Sequence, residues 1–166
     1  MRFAIGDLII YGETGVCRVE EIVEKEFLGE IRPCYKLQPI YQSCIIFTPA
    51  DNEAVFMRPI LTKNEAEALI ESIPSIKPML YSANSPRELS EVYDKIIKLH
   101  DCNELATLII SVYAKRKEYI AKKKKLSAID ERFVKKAEDL LFGELASALG
   151  TERTAFRPII EEKASI

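Results

Sequence analysis

The sequence predicts an α+β protein: a small β-barrel over residues 1–60, then an all-α helical domain over residues 61–166 in which 72–85 form a linker-like loop. Three observations predict this. Through the first part, short runs of strand-forming residues alternate with turn signals about every ten residues, the spacing of a small all-β unit. From Thr62 onward, helix-capping signatures replace those turns. Charge is also segregated: the chain of 166 residues carries a net charge of −2, yet residues 115–136 alone carry +7, and the blocks 1–60, 61–114 and 137–166 carry −3 each.

Taken in order, Leu8-Ile9-Ile10-Tyr11 is an apolar strand and Gly12-Glu13-Thr14-Gly15 a turn. A second strand runs from Val16 to Ile22. Its alternation is imperfect, which predicts a bent or bulged strand. Glu26-Phe27-Leu28-Gly29-Glu30 is a hairpin end. Cys34-Tyr35-Lys36-Leu37-Gln38, Cys44-Ile45-Ile46-Phe47-Thr48 and Ala54-Val55-Phe56-Met57 supply three more strands.

Thr62-Lys63-Asn64-Glu65 is a capping box opening a short helix to about Glu71. Pro74, Pro78 and several serines then mark the linker-like loop. Ser85-Pro86-Arg87-Glu88 caps a second helix with proline at its first turn, and Leu89, Val92, Tyr93, Ile96 and Ile97 form its apolar stripe. Asp101-Cys102-Asn103-Glu104 starts a third, striped by Leu105, Leu108, Ile109, Val112 and Tyr113. Ser127-Ala128-Ile129-Asp130 opens a fourth, which Gly150 closes, and a last helical turn or two covers Phe156 to Lys163.

Composition excludes several classes. No apolar run approaches the roughly 18 residues that span a bilayer. The first residues lack the apolar core of a secretory signal, which points to the cytoplasm. Cys17, Cys34, Cys44 and Cys102 form no close pair, and His100 is the single histidine, so zinc-ligand spacing is absent and buried free thiols are expected. His100 ends the second helix, where an imidazolium offsets the helix dipole. Glu20, Glu21, Glu24 and Glu26 read as a solvated strand edge, and Glu144 falls near an apolar helix face as a buried, hydrogen-bonded structural acid. Neither a catalytic triad nor a glycine-rich phosphate loop is present, so an enzyme has no positive support and no cofactor is implied.

The basic segment is the sharpest feature. After Tyr113 the third helix turns to Lys115-Arg116-Lys117 and then Lys122-Lys123-Lys124-Lys125. Arg132, Lys135 and Lys136 follow on a different arc of the fourth helix from Phe133, Ala137, Leu140 and Leu141. Such a density of cations either neutralises phosphates or forms a solvated surface.

Three stretches resemble a known family. Ile5-Gly6-Asp7-Leu8-Ile9-Ile10-Tyr11-Gly12-Glu13-Thr14-Gly15-Val16-Cys17-Arg18-Val19 is similar to the opening of the bacterial CarD-like (CdnL) transcription regulators. Leu126-Ser127-Ala128-Ile129-Asp130-Glu131-Arg132, continuing to Leu140-Leu141-Phe142-Gly143-Glu144-Leu145, resembles their closing helix, and Phe47-Thr48-Pro49-Ala50-Asp51-Asn52 with Met57-Arg58 resembles the forms found in clostridia-like bacteria. The resemblance implies a Tudor-like N-terminal domain that docks on the β subunit of RNA polymerase and a helical domain that contacts promoter DNA, together tuning the open complex. It places Lys25 where relatives have a polymerase-contacting arginine, beside Glu26 and Phe27, and a second such position near Phe47. Many relatives wedge a tryptophan into the minor groove, but this chain has none. Tyr81 lies in the matching region and either serves DNA or packs under the linker-like loop. Arg87 is the phosphate contact expected beside it, with Lys122, Lys123, Lys124, Lys125, Arg132 and Lys136 completing the DNA-facing set. No membrane and no small-molecule substrate is expected. The alternative is a protein-interaction module that docks on polymerase or another partner without touching DNA.

Overall fold

The computed structural model describes residues 1–166. Five strands form one antiparallel sheet: β1 (Leu8–Tyr11), β2 (Gly15–Phe27), β3 (Glu30–Pro39), β4 (Ile46–Pro49) and β5 (Met57–Pro59). Their order is β4-β3-β2-β1-β5. The sheet belongs to a unit spanning Met1–Ile60, and a second unit spans Leu61–Ile166. The α+β class, a small Tudor-like β domain followed by helices, is therefore the observed architecture.

The expected irregularity of the second strand is a β-bulge between Val19 and Glu21. Cys17 and Val19 point into the core before it. One extra residue reverses which side chains face inward, so Ile22 packs on the same core although simple alternation assigns it to the other face. The core also holds Phe3, Ile9, Tyr35, Leu37 and Met57, and the Tyr35 hydroxyl accepts the Phe3 N–H at 3.1 Å.

Two strand boundaries differ from the sequence expectation because pairing decides them. Cys44 and Ile45 lie outside β4, whose last pair is Leu37↔Ile46; the Gln38 amide instead donates to the Cys44 carbonyl at 3.1 Å. Cys44 is consequently exposed, whereas Cys17, Cys34 and Cys102 are buried. Burial pushes the Cys17 thiol up to about 12, so it stays protonated and inert. Residues 54–56 lie outside β5 because the ladder with β1 ends at the Tyr11↔Met57 pair. The chain there turns through a 3₁₀ segment, Gly12–Thr14. At Gly12 the Phe56 carbonyl accepts the backbone N–H at 2.8 Å, and a Cβ would stand 3.0 Å from Val55 Cγ1.

The second unit is built of α1 (Lys63–Ser72), α2 (Pro86–Lys98), α3 (Cys102–Ala121), α4 (Ala128–Leu149) and α5 (Phe156–Ala164). Each of the first four begins where its cap residue predicts: Thr62, Ser85, Asp101 and Ser127 accept the backbone N–H of Glu65, Glu88, Glu104 and Asp130. At Thr62 the capping box is complete, since the Glu65 carboxylate accepts the Thr62 N–H. The five helices share one core, with Tyr93, Ile97, Leu108, Leu141 and Phe156 among its fully enclosed residues. Glu144 is 1 % exposed and accepts from the Leu61 N–H at 2.9 Å and the Cys102 thiol at 3.2 Å, the satisfied structural acid its helix position implies. No helix is long and apolar enough to cross a membrane.

Candidate functional site

Two surfaces gather the candidate residues, one on each unit. On the first, β2 and β3 extend together beyond the core as a hairpin arm, from the Glu24↔Pro33 pair to Phe27↔Glu30. Leu28 and Gly29 close it with φ of +53° and +82°. Positive φ at both central residues is the type I′ geometry that matches strand twist. It is ordinary for Gly29 and costs Leu28 about 1 kcal/mol or more, so the apolar side chain is retained at the tip against a local conformational cost.

The arm is exposed and apolar at intervals. Phe27, Leu28, Ile31 and Phe47 all present large side chains to solvent. The Lys25 ammonium sits 3.5 Å from the centre of the Phe47 ring, a cation–π contact that joins β2 to β4. Lys25, Glu26 and Phe27 lie on the arm, and Phe47 lies on β4 opposite Lys36, where the Lys25 side chain reaches it. The neighbouring carboxylates are solvent-facing, as expected: Glu21 pairs with Lys36 at 3.5 Å and Glu20 with Arg18 at 3.5 Å.

On the helical unit the basic segment divides into two parts. Lys115 and Arg116 turn inward. Asp130 is 0 % exposed and accepts from the Tyr93 hydroxyl at 2.5 Å, Lys115 Nζ at 2.9 Å and Ser127 Oγ at 3.0 Å. Burial pushes its carboxyl upward, but the bonds from Tyr93, Lys115 and Ser127 outweigh this and hold it below the usual carboxylate range. Arg116 pairs with Glu131 at 3.1 Å.

Lys122, Lys123, Lys124 and Lys125 turn outward and are all exposed. Their backbone is fixed by the end of α3. Lys123 adopts φ of +58°, its N–H bonds the Ile120 carbonyl at 3.0 Å, and the Lys124 N–H bonds the Tyr119 carbonyl at 2.7 Å. This paired arrangement is a Schellman closure with lysine where glycine is usual. Lys122 is bridged to Glu118 one turn back at 2.9 Å, which raises its ammonium above the usual range.

The remaining candidates are dispersed around this corner. Arg132 reaches from α4 to Ser90 Oγ of α2 at 3.4 Å, one turn along from Arg87, which pairs with Glu91 at 3.4 Å. Lys136 is half-buried on α4. Tyr81 is half-buried, and its ring meets Tyr93 edge-on with centroids 5.6 Å apart. Its hydroxyl is buried, and burial raises its pKa above the usual tyrosine range. Sequence reasoning missed Met79 and Leu80, which stand exposed just before it. Their only sequence signal is apolar residues in an otherwise polar loop.

Residues 3–61, the β unit, match the family model of the CarD-like/TRCF RID domain. A CarD-like RNA polymerase-interacting domain in the β unit supports a transcription-related, RNA polymerase-binding protein.

Proposed function

We propose that the chain docks on the β subunit of RNA polymerase through its β unit and contacts the phosphate backbone of promoter DNA through its helical unit, tuning the stability of the open complex. We assign the polymerase contact to Lys25, Glu26, Phe27 and Phe47, where Phe27 and Phe47 are exposed and the Lys25 ammonium lies over the Phe47 ring. The observation that carries the DNA contact is the outward set of lysines 122–125, held by the end of α3 and opposed only by Glu118. Arg87 on α2 and Arg132 and Lys136 on α4 are assigned to the same contact. Nothing in this set offers a base-reading pattern, so the contact is to backbone. Two modest contacts on one chain reinforce each other through effective concentration.

Pull-down with the isolated β-subunit lobe tests the first contact. The wild type binds, and Lys25→Glu reduces capture about tenfold by reversing the charge at the arm. Failure of the wild type to bind removes the reading. Open-complex lifetime with and without the protein tests the second. The inward pairing of Lys115 and Arg116 favours a rival reading, docking without DNA contact, and absence of duplex binding at low salt would establish it.

A further inference from the structure

The hairpin arm has two sides, and strand register fixes which residue lies on which. Residues opposite each other in an antiparallel pair project to the same side of the sheet. Glu24↔Pro33 and Glu26↔Ile31 therefore continue the side on which Ile22 and Tyr35 meet the core, and Lys25↔Arg32 and Phe27↔Glu30 lie on the other. The outer side compensates its own charge: Glu21 pairs with Lys36, Glu30 pairs with Arg32 at 2.9 Å, and Lys25 lies over Phe47. The inner side does not. Glu24 on β2, and Asp51 and Glu53 past the end of β4, take part in no ion pair, and Asp51 acts on Arg32 only at longer range. Between these acids runs an apolar strip. Ile31 is 74 % exposed, and Pro33, two residues on, leads into a groove of about 380 Å³ that Met1 and Ala50 also line. The segment carrying Asp51 and Glu53 is fixed, because the Ala50 N–H bonds the Pro33 carbonyl at 2.9 Å and Asn52 Nδ2 bonds Thr48 Oγ1 at 3.0 Å. Arg2 is the one side-chain cation lining the groove. Its guanidinium is held by the Met57 carbonyl at 2.8 Å, and with the Met1 amino group it leaves the acids in excess.

We infer that the inner side of the arm docks a basic segment of a partner protein. An aliphatic side chain of that segment covers Ile31 and Pro33. Two cations, roughly 10 Å apart across two strand spacings, meet Glu24 on one flank and Asp51 and Glu53 on the other. An exposed aliphatic strip rimmed by polar groups marks an interaction surface, and an ordinary solvated surface intersperses both signs, as the outer side of this arm does. Acids placed only to keep an edge soluble gain nothing from Ile31 standing among them, since an exposed aliphatic on an edge invites the pairing that charge prevents. Nucleic acid and an anionic membrane are repelled by both flanks. The acids form no group that could hold a metal ion, so a bare divalent cation does not answer them. Glu26 shares this side but is already assigned to polymerase; the docking rests on Glu24, Ile31, Asp51 and Glu53.

The test uses the full chain, followed by amide and methyl resonances during titration with the end-blocked peptide Lys-Gly-Leu-Gly-Lys, whose three side chains share one face when extended. Expected are saturable shifts at Glu24, Ile31 and Glu53. The same peptide with glycine in place of leucine binds about fivefold more weakly, because the aliphatic strip is left uncovered. Glu24→Gln, Asp51→Asn and Glu53→Gln combined weaken binding about tenfold at low salt while thermal unfolding and capture by the β-subunit lobe hold. Ile31→Ser, at a largely exposed position, weakens it as well without lowering stability. Lys25→Glu does the reverse, reducing lobe capture and sparing the peptide, so this docking and the polymerase contact fail separately. Absence of saturable shifts overturns the inference, as does equal binding of the two peptides or of the combined variant. Loss of lobe capture in the combined variant also overturns it, by giving this side to polymerase. So does self-association in sedimentation that the combined variant abolishes, since the occupant is then a second copy.

Discussion

Lys115 and Arg116 and the four lysines at 122–125 lie within one basic segment, a few turns of chain apart, yet they do opposite things. The first pair faces the helical core. Lys115 completes the coordination of a carboxylate that has no solvent of its own, and Arg116 ties α3 to the start of α4 through Glu131. The four lysines lie past the last turn of α3, beyond the packed surface, where only Lys122 has a partner in Glu118. Formal charge therefore overstates the surface available to a polyanion. What separates Lys115 from the four lysines is the buried acid Asp130 that stands opposite it, while Arg116 and Lys122 each meet a solvent-exposed one.

The largest test of this difference removes that acid. Asp130→Ala leaves Lys115 and the Tyr93 hydroxyl facing each other in the interior and destabilises the helical unit by about 3 kcal/mol, the low end for a broken buried pair because Lys115 keeps part of its side chain in solvent. Urea unfolding measures it, and a change below about 1 kcal/mol would mean that Lys115 is as free as its neighbours. The same carboxyl has a pH signature. Its pKa is depressed on folding, so its contribution is present above the unfolded value of about 3.9 and is lost as pH falls through the lower folded value. Stability attributable to Asp130 is thus constant near neutrality and declines only in acid, and Asp130→Asn lacks that decline.

Replacing lysines 122–125 with alanine should leave unfolding unchanged while lowering the slope of log affinity for duplex DNA against log salt by about 0.9 for each phosphate no longer neutralised. Lys115→Ala, by contrast, should change stability and leave the slope nearly intact. If both variants flatten the slope equally, the two groups are one surface and the distinction fails.

The smallest effect concerns the α3 closure. Lys123→Gly removes a side chain from a left-handed backbone and should stabilise the helical unit by up to about 1 kcal/mol. It lowers the salt slope by the increment of one phosphate at most, so stability and DNA affinity move in opposite directions.

The hairpin arm and the helix starts show how differently local and non-local signals are written. Thr62, Ser85, Asp101 and Ser127 cap the helices they precede because a cap acts through an N–H three residues away, within the same short stretch of chain. The Leu28-Gly29 turn is legible for the same reason. The start of β5, the exposure of Cys44 and the reach of β2 to Phe27 are not, since each depends on where a partner strand begins or ends. Among the candidate residues, the exposure of Lys25 and Lys122 follows from polar surroundings in the sequence. The Lys25–Phe47 contact does not, because it joins strands with a third lying between them.

Neighbours along the chain are enough to set the two-part α+β order, the helix starts and the concentration of positive charge, since each of these acts over a few residues. Packing in three dimensions then selects which of those charges are paired. It sets Asp130 opposite Lys115, turns Tyr81 onto Tyr93, and leaves Met79, Leu80 and the lysines at 122 and 124 around an open groove. Burial and pairing are properties of distance in space, and residues as far apart as 81 and 119 become neighbours only when helices pack around a shared core.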